Sequence, residues 1–360
     1  MTLSAERRAR IRLARSANVG PVSFRMLIDR FGSALAALEA VPAIAARGGG
    51  RAPRIADDRL IDAELRATAA LGGRYLILGD HDYPAALAAS EGAPAVLTLR
   101  GDAALLERRA VAMVGARNAS AAACRFARGL ARDLADAGVA VVSGLARGID
   151  TAAHQGALDG GTIAVIAGGA DIVYPPENAA LQEEIAARGL LIAEMPPGTE
   201  PRARHFPHRN RIIAGLAAGT VVVEAAPRSG SLITARLAAE AGREVMAVPG
   251  SPLDPRAQGC NGLIRDGATL IQSAADILET LAPIGEGLVA SPNETFHSAA
   301  LVDDAADADR VAITDLLGPV AVPVDELIRL SGLPSASSKP CCWSWNLPGG
   351  STATRAAASA

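Results

Sequence analysis

The chain is nearly devoid of lysine, aromatic residues and cysteine. Of its 360 residues 35 are basic, and arginine carries almost all of this charge because Lys339 is the single lysine. Aromatic residues make up 3%, so the core must be built from alanine, valine, leucine and isoleucine. The cysteines at 124, 260, 341 and 342 lack the spacing of a zinc site or a disulfide framework. We therefore expect no metal and no cofactor.

The charge balance and the hydropathy pattern exclude two further classes of protein. A formal charge of −3 excludes a uniformly basic nucleic-acid binder, so any DNA-binding surface must be a local patch. No apolar run is long enough for a membrane span, and the N-terminal segment MTLSAERRARIRLARS lacks the apolar stretch of a signal peptide. We therefore expect a cytoplasmic protein with no membrane partner.

The middle of the chain alternates between apolar runs and helical segments. Six apolar runs follow one another: AVAMVGA, VAVVSGL, TIAVIAGG, LLIAEM, TVVVEAA and EVMAVPG. Such runs are typical of parallel strands covered by helices on both faces. Two earlier runs, YLILG and AVLTLRG, are also predicted to be strands. The pattern predicts a Rossmann-like α/β domain over residues 75–283, doubly wound, with a mostly parallel sheet.

Shorter segments flank this predicted domain. Residues 1–70 predict a small helical domain, in which the turn at 18–21, Asn-Val-Gly-Pro, joins two helices. Such a turn is typical of helix-hairpin-helix or SAM-like modules that contact DNA phosphates, and equally of a plain helical hairpin. Residues 47–57 predict a linker within this part. After a second linker at 284–305, residues 306–337 predict two helices with helix–turn–helix spacing.

The composition changes abruptly after Ser337. Residues 338–360 hold the lone lysine and both tryptophans and show no amphipathic period. One choice of GC-rich codons for them, shifted by one base with one G restored, reads VQAVLLELELAGRLDRHAGGRVS, which has the pattern of a third helix and a wing. We therefore predict a frameshifted, disordered tail that leaves the helical segment 306–337 incomplete. A lineage-specific disordered tail is the alternative.

The candidate binding residues follow the ends of the predicted strands, where open parallel sheets bind their ligands. They offer main-chain N–H groups at glycines and helix starts, arginine side chains for phosphates, and two aromatic rings for stacking. Such a set suits an extended polyanion better than one compact cofactor. The predicted DNA-binding residues are Gly115, Arg117, Ser120, Ser143, Gly144, Arg147, Gly148, Gly168, Gly169, Tyr174, Asn178, Phe206, Arg209, Asn210, Arg211, Arg228, Ser229, Gly230 and Ser231.

Two alternatives concern individual residues of this set. Arg209 and Arg211 could instead form internal ion pairs with Glu224 or Asp150. A serine at 143 and a histidine at 154 could suggest nucleophilic catalysis, but no orienting third residue can be assigned, and the serine is better interpreted as part of a strand-end turn. The GxGxxG, GxxxxGK[ST] and HExxH motifs are absent, so we expect no catalytic and no metal-binding residues.

Six motifs in a fixed order resemble the DNA-processing protein A family, also named DprA or Smf. They are VGARNAS, SGLARGIDTAAHQGAL, AGGADIVYPPEN, HFPHRNRIIAGLA, VVVEAAPRSGSLITARLAAEAGREVMAVPG and GCNGLIRDGA. The resemblance, over residues 13–333, implies an extended Rossmann fold and a C-terminal winged helix, of which 306–337 would be a truncated, incomplete part. It also implies a homodimer that binds single-stranded DNA and loads the recombinase RecA onto incoming DNA in natural transformation. It implies that Arg117 contacts DNA, and it places 205–215 and 228–234 in the family's conserved stretches. Pro176 replaces a basic residue of some members, so no lysine-type phosphate contact is expected there.

A nucleotide- or nucleotide-sugar-processing enzyme on a related sheet is the alternative function. The predicted fold also resembles the lysine-decarboxylase-like nucleotide hydrolases, but their glycine-rich PGGxGT stretch is missing from this sequence. The sequence therefore predicts a DNA-binding recombination mediator and not an enzyme.

Overall fold

A computed structural model describes residues 3–47, 54–282, 316, 322–332 and 352–353. The chain divides into two compact units, Met1–Pro283 and Ile284–Ala360. The helical segment predicted over 1–70 and the α/β segment predicted over 75–283 thus lie within one unit. No described helix is both long enough and apolar enough to cross a bilayer.

Nine strands among the described residues of the first unit form a single sheet. In chain order they are β1 Arg74–Ile77, β2 Val96–Gly101, β3 Ala110–Gly115, β4 Ala140–Ser143, β5 Thr162–Ile166, β6 Leu190–Ala193, β7 Gly219–Val223, β8 Glu244–Ala247 and β9 Thr269–Leu270. Their spatial order is β1-β2-β6-β5-β4-β3-β7-β8-β9. The neighbours from β6 to β9 are parallel, whereas β2 is antiparallel to both β1 and β6. The predicted fold class and all eight predicted strands are confirmed.

Helices cover both faces of this sheet. They are α1 Ala5–Ala14, α2 Pro21–Phe31, α3 Ala34–Arg47, α4 Asp58–Ala70, α5 Ala85–Ala88, α6 Ala121–Asp136, α7 Ile149–Ala157, α8 Ala179–Arg188, α9 His205–Leu216, α10 Gly230–Glu240, α11 Gln258–Arg265 and α12 Ala274–Thr280. Met113 and Val221 face a core shared with α6, α7 and α12, while Val114 and Val222 face one shared with α5, α9, α10 and α11. Successive residues of β3 and β7 thus serve opposite cores, which explains why these strands are apolar throughout.

The strand order reverses beside β3, which has β4 on one side and β7 on the other. After β3 the chain continues to β4 on one side, and after β7 it continues to β8 on the other side. The loops after β3 and β7 therefore diverge and open a crevice at the carboxyl edge of the sheet. A Cβ atom on Gly115 would lie 1.9 Å from the carbonyl oxygen of Val223. Only glycine therefore lets β3 end this close to β7.

The N-terminal helices pack against the β1 side of the sheet. Phe24 of α2 and Ile77 of β1 belong to the same buried cluster. Arg15, just after α1, forms an ion pair with buried Glu64 at 2.9 Å and donates to the main-chain oxygen of Glu194 at 3.1 Å. These contacts make the predicted helices part of the first compact unit.

The second unit is described over a few residues. Strand β10, Val322–Pro323, pairs with β11, Thr352–Ala353, in antiparallel fashion, and helix α13 covers Val324–Ser331. This helix confirms the second of the two helices predicted within 306–337. The predicted linker at 284–305, and the predicted tail apart from the two residues of β11, lie outside the described residues, so the frameshift stays a hypothesis.

Candidate nucleic-acid interface

Two adjoining cavities lie along the carboxyl edge of the parallel strands. The inner cavity, about 220 Å³, is lined by the ends of β4 and β5 and by residues 174–177. The outer cavity, about 390 Å³, is lined by the loops after β3 and β7 and by the start of α10. Arg117, Ala146, Phe206 and Arg209 line both cavities. The two therefore form one continuous depression, termed the edge groove below.

Most of the predicted binding residues line the edge groove. Those that do so are Gly115, Arg117, Gly144, Arg147, Gly168, Tyr174, Phe206, Arg209, Asn210, Arg228, Ser229, Gly230 and Ser231. The predicted residues outside this lining are Ser120, Ser143, Gly148, Gly169, Asn178 and Arg211. The fold thus brings residues from four loops and helix α9 to one surface, while their contact with DNA stays a prediction.

Ser120 is the N-cap of α6, and a side chain of the protein itself occupies this helix start. The carboxylate of Glu224 accepts a hydrogen bond from the Ser120 main-chain N–H at 2.8 Å and another from its hydroxyl at 2.6 Å. A carboxylate at a helix N-terminus has the favourable position that a bound phosphate would take. The phosphate site that the sequence suggests at this helix start is therefore filled by Glu224.

The loop after β4 is held by side chains of α7. Asp150 accepts hydrogen bonds from the main-chain N–H groups of Gly144 and Ala146 at 3.2 and 3.3 Å. His154 Nε2 accepts a hydrogen bond from the main-chain N–H of Leu145 at 3.3 Å. Three successive main-chain N–H groups of this predicted binding loop are thus used inside the protein. What this loop presents to the groove is the exposed side chain of Arg147.

Ser143 and Asn178 are buried and support the loops from beneath. The Ser143 hydroxyl donates to the carbonyl oxygen of Met113 at 2.6 Å. The Asn178 amide donates to the carbonyl oxygen of Leu145 and to the hydroxyl of Thr151, both at 2.9 Å. Their polar groups therefore join neighbouring segments of the protein.

Arg211 of α9 and Gly169 are two further predicted residues that do not line the edge groove. Arg211 forms an ion pair with Glu194 and donates to the carbonyl oxygen of Gly92. The alternative of internal pairing therefore describes Arg211, although its partner is neither Glu224 nor Asp150. Gly169 donates its N–H to the carbonyl oxygen of Thr199 at 2.9 Å and anchors the following segment.

His154 is a buried structural residue. Burial, and secondarily the positive charge of Arg209, lowers its pKa to about 3. Because Nε2 accepts a main-chain N–H, Nδ1 carries the proton and donates to Thr162 Oγ1 at 2.7 Å. Because the Ser143 hydroxyl is bonded to a carbonyl oxygen and both ring nitrogens of His154 have other partners, these two residues do not form a nucleophile–base pair.

Acidification is expected to destabilise the protein through His154. The unfolded imidazole takes up a proton near pH 6.5, whereas the folded one stays neutral down to about pH 3. The unfolded state thus binds the additional proton, and the free energy of unfolding falls by about 1.4 kcal/mol per pH unit between these values. Denaturant titrations should show a loss of about 2 kcal/mol from this group between pH 7 and pH 5. In His154→Gln the pH dependence should shrink by that amount, and equal pH profiles for both proteins would contradict this role.

An open aromatic pair lies in the edge groove. The rings of Tyr174 and Phe206 have centroids 5.6 Å apart and an interplanar angle of 59°. Tyr174 is 47% exposed, and the exposed guanidinium of Arg117 lies 5.2 Å from the centre of the Phe206 ring. Such a pair offers apolar faces for nucleobases beside an exposed positive charge.

Arg209 lies beneath this pair and is 6% exposed. Its Nη1 donates to the carbonyl oxygen of Val165 at 3.1 Å. A Cβ atom on residue 144 would lie 1.4 Å from Nη1, so Gly144 leaves the space that the guanidinium occupies. Burial lowers the pKa of Arg209 to about 10 and raises the pKa of Asp150, and the opposite charges of the two groups counteract both shifts.

The structure adds residues that sequence reasoning missed. Arg256 and Asn118 line the outer cavity. Arg256 forms an ion pair with Asp254 at 2.9 Å. Both residues follow β8, and this position after a strand end is the sequence feature from which Arg256 could have been predicted. Two exposed arginines, Arg202 and Arg204, precede α9, next to the predicted HFPHRNR stretch.

Three family models match the chain in the order of its parts. The model described as the DprA-like N-terminal HHH domain matches residues 4–67. The model described as DNA recombination-mediator protein A matches residues 74–282, more than half of the chain. The DprA winged helix domain matches residues 297–339.

Curated relatives and solved structures agree with these matches. The chain is 43% identical over 291 residues to a putative DNA processing protein DprA of Mycobacterium tuberculosis, covering 77% of this chain and 74% of that protein. It is 46% identical over 201 residues to DNA processing protein DprA of Streptococcus pneumoniae, covering 55% and 71%.

Two solved structures share the fold. The X-ray structure of the Streptococcus pneumoniae DprA aligns with a TM-score of 0.66 and 33% identity, covering 78% of this chain and 98% of that one. The Helicobacter pylori DprA, whose structure is described as giving insights into its single-stranded DNA binding mode, aligns with a TM-score of 0.53 and 31% identity, covering 58% and 95%. The domain matches, these identities and the shared fold together show that the chain belongs to the DNA recombination-mediator protein A family, the DprA/Smf proteins.

Proposed function

We propose that the chain binds single-stranded DNA along the edge groove and serves as a recombination mediator, not as an enzyme. The observation that carries this proposal is that arginines from several loops line the same groove as the exposed aromatic pair of Tyr174 and Phe206. The Helicobacter pylori relative, described as binding single-stranded DNA, supports the same ligand for this chain.

In this proposal side chains, not main-chain nests, provide most of the phosphate contacts. The N–H groups after β4 and at the start of α6 already have partners, as described above. Arg117, Arg147 and Arg228 are exposed along the groove and can neutralise successive phosphates. The inner cavity receives a base beside Tyr174 and Phe206. Affinity should therefore fall steeply with salt.

Fluorescence anisotropy with labelled oligo-dT, competed by free nucleotides, tests this function. Tight binding that micromolar nucleotides do not displace supports a DNA-binding mediator. Displacement by a nucleotide or nucleotide sugar, with weak binding of oligo-dT, would instead favour the nucleotide-processing enzyme.

Arg117→Ala is expected to weaken oligo-dT binding roughly tenfold at fixed salt, as the loss of one charge-assisted hydrogen bond predicts. The slope of log affinity against log salt should also shrink by about 0.7, the value for one phosphate of a single strand. Arg132→Ala is the matched control, because Arg132 is an exposed arginine of α6 outside the groove lining. Equal affinity of wild type and Arg117→Ala at low and high salt would argue against this site.

We further propose that the chain acts as a homodimer and loads RecA onto incoming DNA in natural transformation. Support comes from the family's description as a recombination mediator and from the resemblance of the motifs. Light scattering tests the dimer. RecA assembly on single strands coated with single-strand-binding protein tests the loading, and no acceleration by the chain would contradict it.

A further inference from the structure

The floor of the edge groove holds a buried hydrogen-bond donor without a partner, Nε of Arg209. Within the described part of the chain, Arg209 forms one hydrogen bond, from Nη1 to the carbonyl oxygen of Val165. Its Nε is buried and has no hydrogen-bond partner. A buried guanidinium with a free N–H group is unfavourable unless a ligand supplies an acceptor. Because Arg209 lines both cavities, such an acceptor would come from whatever fills the groove.

The charge at this floor is already balanced. Asp150 is buried on the same side, and its carboxylate attracts Arg209 while accepting the N–H groups of Gly144 and Ala146. A phosphate entering here would lose its hydration and approach that carboxylate. The unpaired charges lie at the rim instead, on exposed arginines such as Arg117 and Arg228. Phosphates are therefore favoured at the rim, and a neutral acceptor at the floor.

We infer that Arg209 is a specificity-determining residue that selects guanine or thymine, which present a carbonyl oxygen where adenine and cytosine present an amino group, over adenine at the groove floor. The inference rests on the proposed function. Guanine offers O6 and N7 as neighbouring acceptors, and thymine offers O2 and O4. Adenine carries an amino group where guanine has O6, so a donor would face the donors of Arg209 and both would lack partners.

Short homopolymers test this selection in the wild-type protein. Labelled hexamers of deoxyinosine, deoxythymidine and deoxyadenosine are compared by fluorescence anisotropy at one salt concentration. Inosine keeps O6 and N7 and differs from adenosine chiefly at the sixth position of the ring, so the two purines isolate the carbonyl. We expect the inosine and thymidine hexamers to bind about tenfold more tightly than the adenosine hexamer, in the range of one side-chain-to-base contact.

A variant that reverses the preference separates reading of the base from a structural role. Glutamine donates and accepts, and it matches adenine N7 and N6. Arg209→Gln is therefore combined with Asp150→Asn, which removes the carboxylate that would otherwise lose its buried counter-charge. This double variant should bind the adenosine hexamer at least as well as the inosine hexamer. Arg204→Gln, an exposed arginine at the start of the same helix, is the control and should leave the ratio of affinities unchanged.

The outcomes distinguish failure of the inference from failure of the proposed function. If no hexamer and no longer oligo-dT binds, the proposed function fails. If all three hexamers bind equally well, DNA binding stands and the selection by Arg209 is overturned. A folded double variant that keeps the wild-type preference also overturns it. Thermal unfolding monitors the fold, and should the double variant not fold, the wild-type ratio decides alone.

Discussion

Phe206→Ala is expected to weaken binding of oligo-dT by about 10- to 100-fold at constant salt, since base–aromatic stacking contributes about 1–3 kcal/mol per base. Phe206 lines both cavities of the edge groove, 5.6 Å from the ring of Tyr174 and 5.2 Å from the guanidinium of Arg117. Its loss removes a stacking face and also the ring that holds Arg117 over the groove. The effect should therefore exceed that of removing Arg117 alone.

Anisotropy titrations at a single salt concentration measure this change. Phe206→Trp keeps a stacking face and should retain most of the affinity. Phe126→Ala is the matched control, because Phe126 is a partly buried phenylalanine of α6 that lines a different cavity. A Phe206→Ala protein that is folded and binds as tightly as wild type would exclude stacking at this position.

Gly148→Ala is expected to reduce the free energy of unfolding by about 4 kcal/mol, the sum of backbone strain and overpacking. Gly148 has φ = +78°, in a region that residues with a Cβ rarely adopt. A Cβ atom here would lie 2.2 Å from the carbonyl oxygen of Ala116 and 2.9 Å from that of Arg117. Since both contacts are with main-chain atoms, α7 or the loop after β3 would have to move.

Denaturant titration measures this loss of stability. Gly129→Ala is the control, because a Cβ atom on Gly129 of α6 meets nothing within 4 Å. That substitution in a helix should stabilise the protein by up to about 1 kcal/mol. Equal stability of Gly148→Ala and wild type would show that the loop after β3 is free to shift.

The sequence by itself determined the sheet and the edge that carries the candidate site. The six apolar runs are recognisable because strands buried on both faces are apolar at nearly every position and do not alternate with polar residues. Once the strands are placed, parallel pairing brings their carboxyl ends to one edge, so the residues after each strand were expected to meet. Arg117, Tyr174 and Phe206 do meet there.

Only the tertiary structure decided which of these groups are free to bind. Glu224 fills the start of α6, and Asp150 and His154 occupy the N–H groups after β4. Arg209 and Arg211 are two residues apart, which places them about 200° apart around α9, so one faces the groove and the other pairs with Glu194. A sequence shows its donors and acceptors, but their pairing depends on distances between residues far apart in the chain, and only the folded arrangement sets those distances.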